Sequence, residues 1–310
     1  MRVVFMGTGE IGIPTLEWLI ATPKHELVGV VAQPDKPVGR RQILTPPRTK
    51  SLASQAGIPV LQPVKVRLPE ALEEIRALEP EIIVVMAYGQ ILPQTLLKMP
   101  PLGCLNLHAS LLPKFRGASP INAAILEGEG VTGITVMQMD AGLDTGDMIL
   151  KREISIGPTE TAGELHDRLA LIGPGILEEA LGQIVTGKAE RIPQDNAQAT
   201  HCGKLDRDSG RIDWTQPADF IERQVRAMNP WPGAFTTLPD GRKLKIHRAA
   251  VESMSGQPGE AFSLEKSRLI LATGSNALEL LEVQPEGRNR MSAKDFLRGY
   301  RLESGTRFGV

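Results

Sequence analysis

Asn106, His108 and Asp144 are the side chains whose types and spacing point to chemistry in this chain. An amide donates hydrogen bonds, an imidazole gives or takes a proton, and a carboxylate orients a partner or accepts. Leu102 to Leu107 is a short apolar run and reads as a strand, with His108 where it runs out into a loop. Alternation along a strand puts Cys104, Asn106 and His108 on one face, and Leu105 and Leu107 on the other. A second strand, Gly133 to Met139, leads into the Gly-rich loop Asp140-Ala141-Gly142-Leu143-Asp144-Thr145-Gly146. Open α/β sheets bind ligands beyond the carboxyl ends of their strands. The two strands are therefore expected to deliver all three side chains to one place, where Asp144 orients His108 or takes a proton through water. Taken singly, a histidine on a strand is usually packed or solvated, and an aspartate in a glycine loop usually serves a turn.

The loop between them changes that weighing. Ser110-Leu111-Leu112-Pro113-Lys114-Phe115-Arg116-Gly117-Ala118-Ser119-Pro120 resembles the fingerprint of the folate-dependent formyltransferases and the related formyl-tetrahydrofolate hydrolases. Further matching segments are Gln33-Pro34-Asp35, Ala87-Tyr88-Gly89, Ile91-Leu92-Pro93 and Met137-Gln138-Met139-Asp140 through Gly146-Asp147-Met148. In the second half they are Arg211-Ile212-Asp213-Trp214 and Asn229-Pro230-Trp231-Pro232. Together these resemble the methionyl-tRNA formyltransferases in particular.

The resemblance implies transfer of a formyl group from 10-formyltetrahydrofolate to the amino group of methionine on initiator tRNA. It implies that Asn106 and His108 hydrogen-bond the formyl oxygen, which gains negative charge as the amine attacks. Removing one such donor typically costs about 10²–10³ in rate. Asp144 would orient a water or His108 and help remove the amine proton. Direct transfer needs no nucleophile, so Ser110 is expected to be a loop and folate contact. Ser110, Leu111, Leu112 and Pro113 would line the folate pocket, with main-chain groups around Gln90, Ile91, Leu92 and Asp140. Lys36, Arg40, Arg41, Arg48 and Lys50 would form a basic arm toward tRNA phosphates. Lys204, Arg207, Arg242, Lys243 and Lys245 would add contacts, although scattered charges like these also serve solubility. No metal is implied. Within the superfamily, a small-amine acceptor (a sugar nucleotide or purine precursor) and simple hydrolysis of the donor remain open.

The elements that must position these residues alternate strand and helix through the first half. Strands are expected at 3–6, 27–32, 81–86, 134–139 and 148–154, and helices at 10–21, 48–56, 68–78 and 120–126. A long helix over Thr161–Thr186 is interrupted at Gly173-Pro174-Gly175. That order implies an α/β, doubly wound, mainly parallel Rossmann-like sheet. After residue 210 a helix at 218–227 and short alternating runs predict a small C-terminal β-barrel, OB-like. Residues 1–189 would be the catalytic domain, 190–209 a linker without clear elements, and 210–310 the tRNA-contacting barrel.

A net charge of -1 over 310 residues argues weakly against nucleic acid, but the charge is uneven. Lys36 to Lys50 holds five cations and no acid, with Pro37, Gly39, Pro46 and Pro47, and reads as a long mobile loop. Two cysteines, Cys104 and Cys202, without a Cys/His cluster, argue against a disulfide framework or zinc site. The chain starts directly in a strand, and its longest apolar run, Ile82 to Ala87, is too short to span a bilayer. A soluble, cytoplasmic monomer is expected, with no membrane partner.

Gly7-Thr8-Gly9-Glu10-Ile11-Gly12 is a literal G-x-G-x-x-G between strand and helix, which alone would suggest a dinucleotide-dependent oxidoreductase. The acidic partner that fingerprint needs is missing from the second strand's end, since Asp35 lies past Pro34 in a loop. The glycines then need only make a tight turn. Formyltransferases usually carry Pro and Phe after a Gly-Thr turn here, where this chain has Gly9 and Ile11.

Overall fold

Val3, Val4, Phe5 and Met6 are fully buried, and they form the middle of β1 (Arg2–Gly7). The computed structural model describes all residues except Arg40, 263–267, Arg301, Ser304 and Val310. After β1 come α1 (Ile13–Ala21), β2 (Glu26–Val31), β3 (Lys36–Val38), β4 (Ile43–Thr45), α2 (Arg48–Gln55), β5 (Val60–Leu61) and α3 (Pro69–Ala77). Then follow β6 (Ile82–Met86), α4 (Gln94–Leu97), β7 (Cys104–His108), β8 (Arg116–Gly117), α5 (Pro120–Leu126), β9 (Val131–Gln138) and β10 (Met148–Ser155). The series ends with α6 (Ala162–Val185) and β11 (His201–Cys202).

The chain forms two compact units. The first takes Met1–Pro120, Val131–Ser155 and His166–Cys202, and the second Ile121–Gly130, Ile156–Leu165 and Gly203–Val310. The first is built on a seven-stranded sheet in the order β10-β9-β7-β6-β1-β2-β5. β7, β6, β1, β2 and β5 run parallel, while β9 pairs antiparallel with β7 and β10 antiparallel with β9 at one edge. The parallel strands read as continuous apolar runs because helices cover both faces of such a sheet. Ile82, Ile83, Val84, Val85 and Met86 are all buried, each stabilising the fold by roughly 1.5–3 kcal/mol relative to an exposed side chain. The strand order reverses between β1 and β6, the doubly wound arrangement.

The second unit adds α7 (Ala218–Ala227), β12 (Ala234–Thr237), β13 (Lys243–Glu252), β14 (Ala261–Phe262), β15 (Leu269–Ala272), β16 (Ala277–Pro285), β17 (Met291–Ser292) and α8 (Ala293–Gly299). Its antiparallel sheet, β12-β13-β16-β15-β14 with β17 on β16, curls into a partly open barrel. Register shifts at Ile246/Arg248 and Arg248/Ala249 fall within β13, where bulges bend a long strand. Trp214 is buried in this unit and donates from Nε1 to Thr236 Oγ1 at 2.9 Å.

Three local expectations are corrected. Residues 36–50 are no open loop: β3 and β4 pair as a hairpin, Lys36 opposite Thr45, and α2 follows. The long helix is not interrupted, since α6 runs through Pro174. A proline costs about 3 kcal/mol in a helix interior. Burial of Leu169, Ile176, Leu177, Ala180 and Leu181 outweighs it. Gly173 helps, because a Cβ there would overlap Thr15 Oγ1, so glycine lets α6 lie close to α1. Finally, residues 190–202 are no featureless linker. Ile192 exchanges backbone hydrogen bonds with Met148 at 2.9 Å each way, and β11 pairs parallel with β8.

Candidate active site

β7 presents Asn106 and His108, and Asp144 meets both. The expectation that two strands deliver these groups from their carboxyl ends holds for β7 alone. β9 is antiparallel to β7, so its end, Gln138, lies opposite Leu105 at the start of β7. The β9–β10 loop then turns back, bringing Asp144 to Asn106, His108 and Gly117. His108 is only 6% exposed. Its Nε2 lies 2.8 Å from the carbonyl oxygen of Phe115, which can only accept, so Nε2 carries a proton. That leaves Nδ1 as the ring nitrogen facing Asp144, 3.7 Å from its Oδ2. Asp144 Oδ2 also accepts the Gly117 N–H at 2.8 Å, and Oδ1 accepts from Asn106 Nδ2 at 3.4 Å.

The loop is shaped by its own polar groups. Asp140 Oδ1 accepts from the Gly142 N–H at 3.0 Å and from Thr145 Oγ1 at 2.7 Å. Asp144 sits at φ 53°, in the left-handed region. A Cβ on Gly146 would overlap the carbonyl of Gln138. Gln194 completes the loop, donating from Nε2 to the carbonyls of Asp144 (2.8 Å) and Gly146 (2.7 Å). Its Oε1 accepts from Arg116 at 3.0 Å and 2.8 Å. Sequence reading gave neither residue a role: Gln194 stands in no motif, and Arg116 is seen only as one member of the Ser110–Pro120 fingerprint.

The other expected pocket residues take varied roles. Ser110 is buried and its hydroxyl donates to the Lys114 carbonyl at 2.6 Å, so that oxygen is turned into the loop. The Ser110 carbonyl accepts from Thr135 Oγ1 at 2.7 Å. Leu112 is buried, and its carbonyl, ahead of the cis bond to Pro113, accepts from Lys151 at 2.5 Å. Leu111 is half-buried. Gln90 spends its side chain on the backbone of Pro63 and Val66. Leu92 is buried, but Ile91 is 87% exposed and Leu143 is 62% exposed. The thiol of Cys104 is core, pushed up to about 12 by burial. Cys202 is half-buried beside the Phe115 and Arg116 carbonyls, and burial raises its thiol too.

The five cations of the basic segment separate. Lys36 and Arg41 are exposed on the hairpin, along with the apolar Val38, Ile43 and Leu44. Arg40 lies outside the described residues. Arg48 pairs with Glu10 at 3.3 Å and Glu17 at 3.8 Å. Lys50 holds both oxygens of Asp35 at 3.0 Å. Hydrogen bonds from Gln62 and then Lys50 hold the Asp35 carboxyl below the usual aspartate range. In the second unit Arg242 pairs with Asp240 at 2.6 Å and Lys243 sits 3.8 Å over the Phe235 ring. Lys245 reaches the Pro232 carbonyl at 3.5 Å, while Lys204 and Arg207 are exposed.

The early glycines make no cradle for a dinucleotide. The N–H groups of Thr8 and Gly9 both donate to the Ala87 carbonyl at 3.2 Å, so they do not face a phosphate. A Cβ on Gly9 would lie 2.9 Å from Ala87 Cβ, and one on Gly7 would lie 2.8 Å from the Met86 carbonyl. These glycines let β1 and β6 close on each other. Asp35 is committed to Lys50 and Gln62 and holds no ribose. Among the described residues, no group of three or more His, Cys, Asp or Glu is placed to hold a metal. No helix among them is long and apolar enough to cross a membrane.

Residues 1–181 match the formyl transferase family model, and residues 204–301 match the model of the formyl transferase C-terminal domain. The chain belongs to the formyltransferase family. As a formyltransferase it carries both of the family's domains, and it is an enzyme. Its relative named methionyl-tRNA formyltransferase in Geobacter metallireducens is 50% identical over 309 residues, spanning 100% of this chain and 99% of that one. Two solved structures share the formyltransferase fold. HypX from Aquifex aeolicus in complex with tetrahydrofolic acid has a TM-score of 0.61 at 18% identity, covering 96% of this chain and 47% of that one. Methionyl-tRNA formyltransferase from Clostridium thermocellum has a TM-score of 0.57 at 19% identity, covering 81% of this chain and 94% of that one.

Proposed function

We propose that this formyltransferase moves the formyl group of 10-formyltetrahydrofolate to the amino group of methionine on initiator tRNA. The observation that carries the chemistry is the meeting of Asn106, His108 and Asp144, all within 3.7 Å contacts of one another through Asp144. The family and the naming of a full-length relative support the donor and the acceptor.

In this reading the methionine nitrogen attacks the formyl carbon, a C–N bond forms, and the carbonyl oxygen gains negative charge. Asn106 Nδ2 donates to that oxygen, and so does the ring of His108. Because Nε2–H is held by Phe115, His108 must donate through Nδ1, which requires a second proton on the ring. Asp144, 3.7 Å from Nδ1, stabilises that proton and helps take the one released by the amine. The bond from carbon to the folate nitrogen then breaks and the folate nitrogen takes a proton. Exposed Ile91 and Leu143 suit the flat face of a pterin, with main-chain groups of the Gln90–Leu92 and Asp140–Leu143 loops and of Ser110–Pro113 beside it. The Lys36–Lys50 segment, through Lys36, Arg40, Arg41, Arg48 and Lys50, grips tRNA phosphates. Residues 1–189 carry the chemistry, and 210–310 add tRNA contacts. The enzyme acts in the cytoplasm as a monomer.

The test is formyl transfer from 10-formyltetrahydrofolate in the presence of methionine-charged initiator tRNA. Product that depends on the charged initiator tRNA is expected. Loss of formyl without product on tRNA would redirect the reading to hydrolysis. A stable donor would redirect it to a small-amine acceptor.

A further inference from the structure

We propose that Gln194 is a positioning residue for Asp144, clamping the catalytic loop from a segment some 50 residues further along the chain. This rests on the reading that Asp144 takes part in transfer. The Gln194 amide has one possible orientation. The Arg116 guanidinium can only donate, and the Asp144 and Gly146 carbonyls can only accept. Oε1 must therefore face Arg116 and Nε2 the two carbonyls, as found. Turned over, the amide would set a donor against a cation and an acceptor against two acceptors.

One of the two carbonyls it binds is that of Asp144 itself, whose backbone lies in the left-handed region. A non-glycine residue at φ 53° costs roughly 1–2 kcal/mol and persists only where its surroundings hold it. Arg116 backs the clamp. It is 4% exposed, and its Nη2 also donates to Asn196 at 2.9 Å. Arg116 precedes Gly117, whose N–H holds the Asp144 carboxylate. One pair of segments thus grips Asp144 twice, by its side chain through Gly117 and by its main chain through Gln194. Thr200 and Cys202 fix that pair to each other: the Thr200 hydroxyl accepts the Phe115 N–H at 2.8 Å, and the Cys202 carbonyl accepts the Ala118 N–H at 3.1 Å.

The experiment is Gln194→Glu, assayed in the full chain for transfer to charged initiator tRNA. Glutamate keeps the volume and the Arg116 contact but sets an acceptor against both carbonyls. The expected result is a fall in kcat of about 10–100-fold with KM for folate and tRNA little changed, as for a misplaced catalytic group. The pH–rate profile should move as well, because the carboxylate shifts relative to His108. Near-normal kcat with an unmoved profile would mean that Gln194 only braces Arg116, and would overturn the proposal. If Gln194→Glu lacks a cooperative melt, Gln194→Met, which has neither donor nor carboxylate, carries the same expectation. Asp144→Asn is run beside them. Full activity there sinks the reading of Asp144, and the proposal with it. An impaired Asp144→Asn with a fully active Gln194→Glu sinks the proposal alone.

Discussion

Asp144→Asn keeps the shape of the carboxylate and removes its charge and one acceptor. In the native site Oδ2 takes the Gly117 N–H at 2.8 Å and Oδ1 takes Asn106 Nδ2 at 3.4 Å. An amide has only one oxygen. If it stays on Gly117, its NH₂ faces the NH₂ of Asn106; if it turns over, the Gly117 N–H loses its acceptor. Either way one hydrogen bond to a charged group is lost, worth about 1.5–3 kcal/mol. The negative charge 3.7 Å from His108 Nδ1 is lost too, an interaction of similar size in a partly buried site. The charge interaction acts on the transition state and the hydrogen bond keeps the carboxylate in place for it, so up to about 3–6 kcal/mol of transition-state stabilisation goes, which at 1.36 kcal/mol per decade is up to about 10²–10⁴ in kcat. The assay is single-turnover transfer at saturating donor and charged tRNA, with a thermal melt to show that the fold persists. The KM for tRNA should stay near the parent value, since the lost interactions strengthen in the transition state. A folded variant with kcat within about threefold of the parent would refute the reasoning.

Four further outcomes are expected. Arg40→Ala with Arg41→Ala should raise the KM for aminoacyl-tRNA and flatten its dependence on salt by about one to two in log–log slope; a raised folate KM alone would mean that the hairpin serves the donor. Gly117→Ala should lower the melting temperature and kcat together. Gly117 sits at φ 118° and a Cβ would overlap the Cys202 carbonyl, so about 2 kcal/mol or more is lost; an unchanged melt would contradict this. Asp35 has its carboxyl lowered in the fold, so its stabilisation is present above the unfolded-chain value and lost as pH falls through the folded one. Asp35→Asn should therefore lose less melting temperature than the parent between neutral pH and pH 3, and parallel curves would count against the pairing. A thiol reagent at neutral pH should label both cysteines slowly in the native protein and quickly in urea, because burial raises both thiols; fast native labelling of Cys104 would show that β7 opens.

Much of the candidate site's geometry was legible because it obeys local rules. The two-residue period of a strand ties Asn106 to His108, and the apolar runs at 3–6 and 82–86 mark strands buried on both faces. The failures have different causes. Pro174 marks a helix break by propensity, yet α6 continues because its apolar face is buried. Lys36–Lys50 has loop composition, yet a hairpin forms across its proline and glycine. The direction of β9 was invisible, since alternation does not say which way a strand runs; this is why Asp144 arrives by a loop folded back from the far end. The pairing of Gln194 with Arg116 was missed because 78 residues separate them, and a single glutamine in a polar stretch carries no period.

The clamp at Gln194 has a consequence for synthesis of the chain. Protein chains emerge N-terminus first, and their domains tend to fold as they appear. By the time residue 155 has emerged, every strand of the seven-stranded sheet is available, including those bearing Asn106, His108 and the Asp144 loop. The loop's outer supports, Gln194, Thr200 and Cys202, are still to be made. The strands can therefore be paired before the Asp144 loop is secured. The order of translation separates a stage in which the strands can pair from a later one in which the Asp144 loop is held in place.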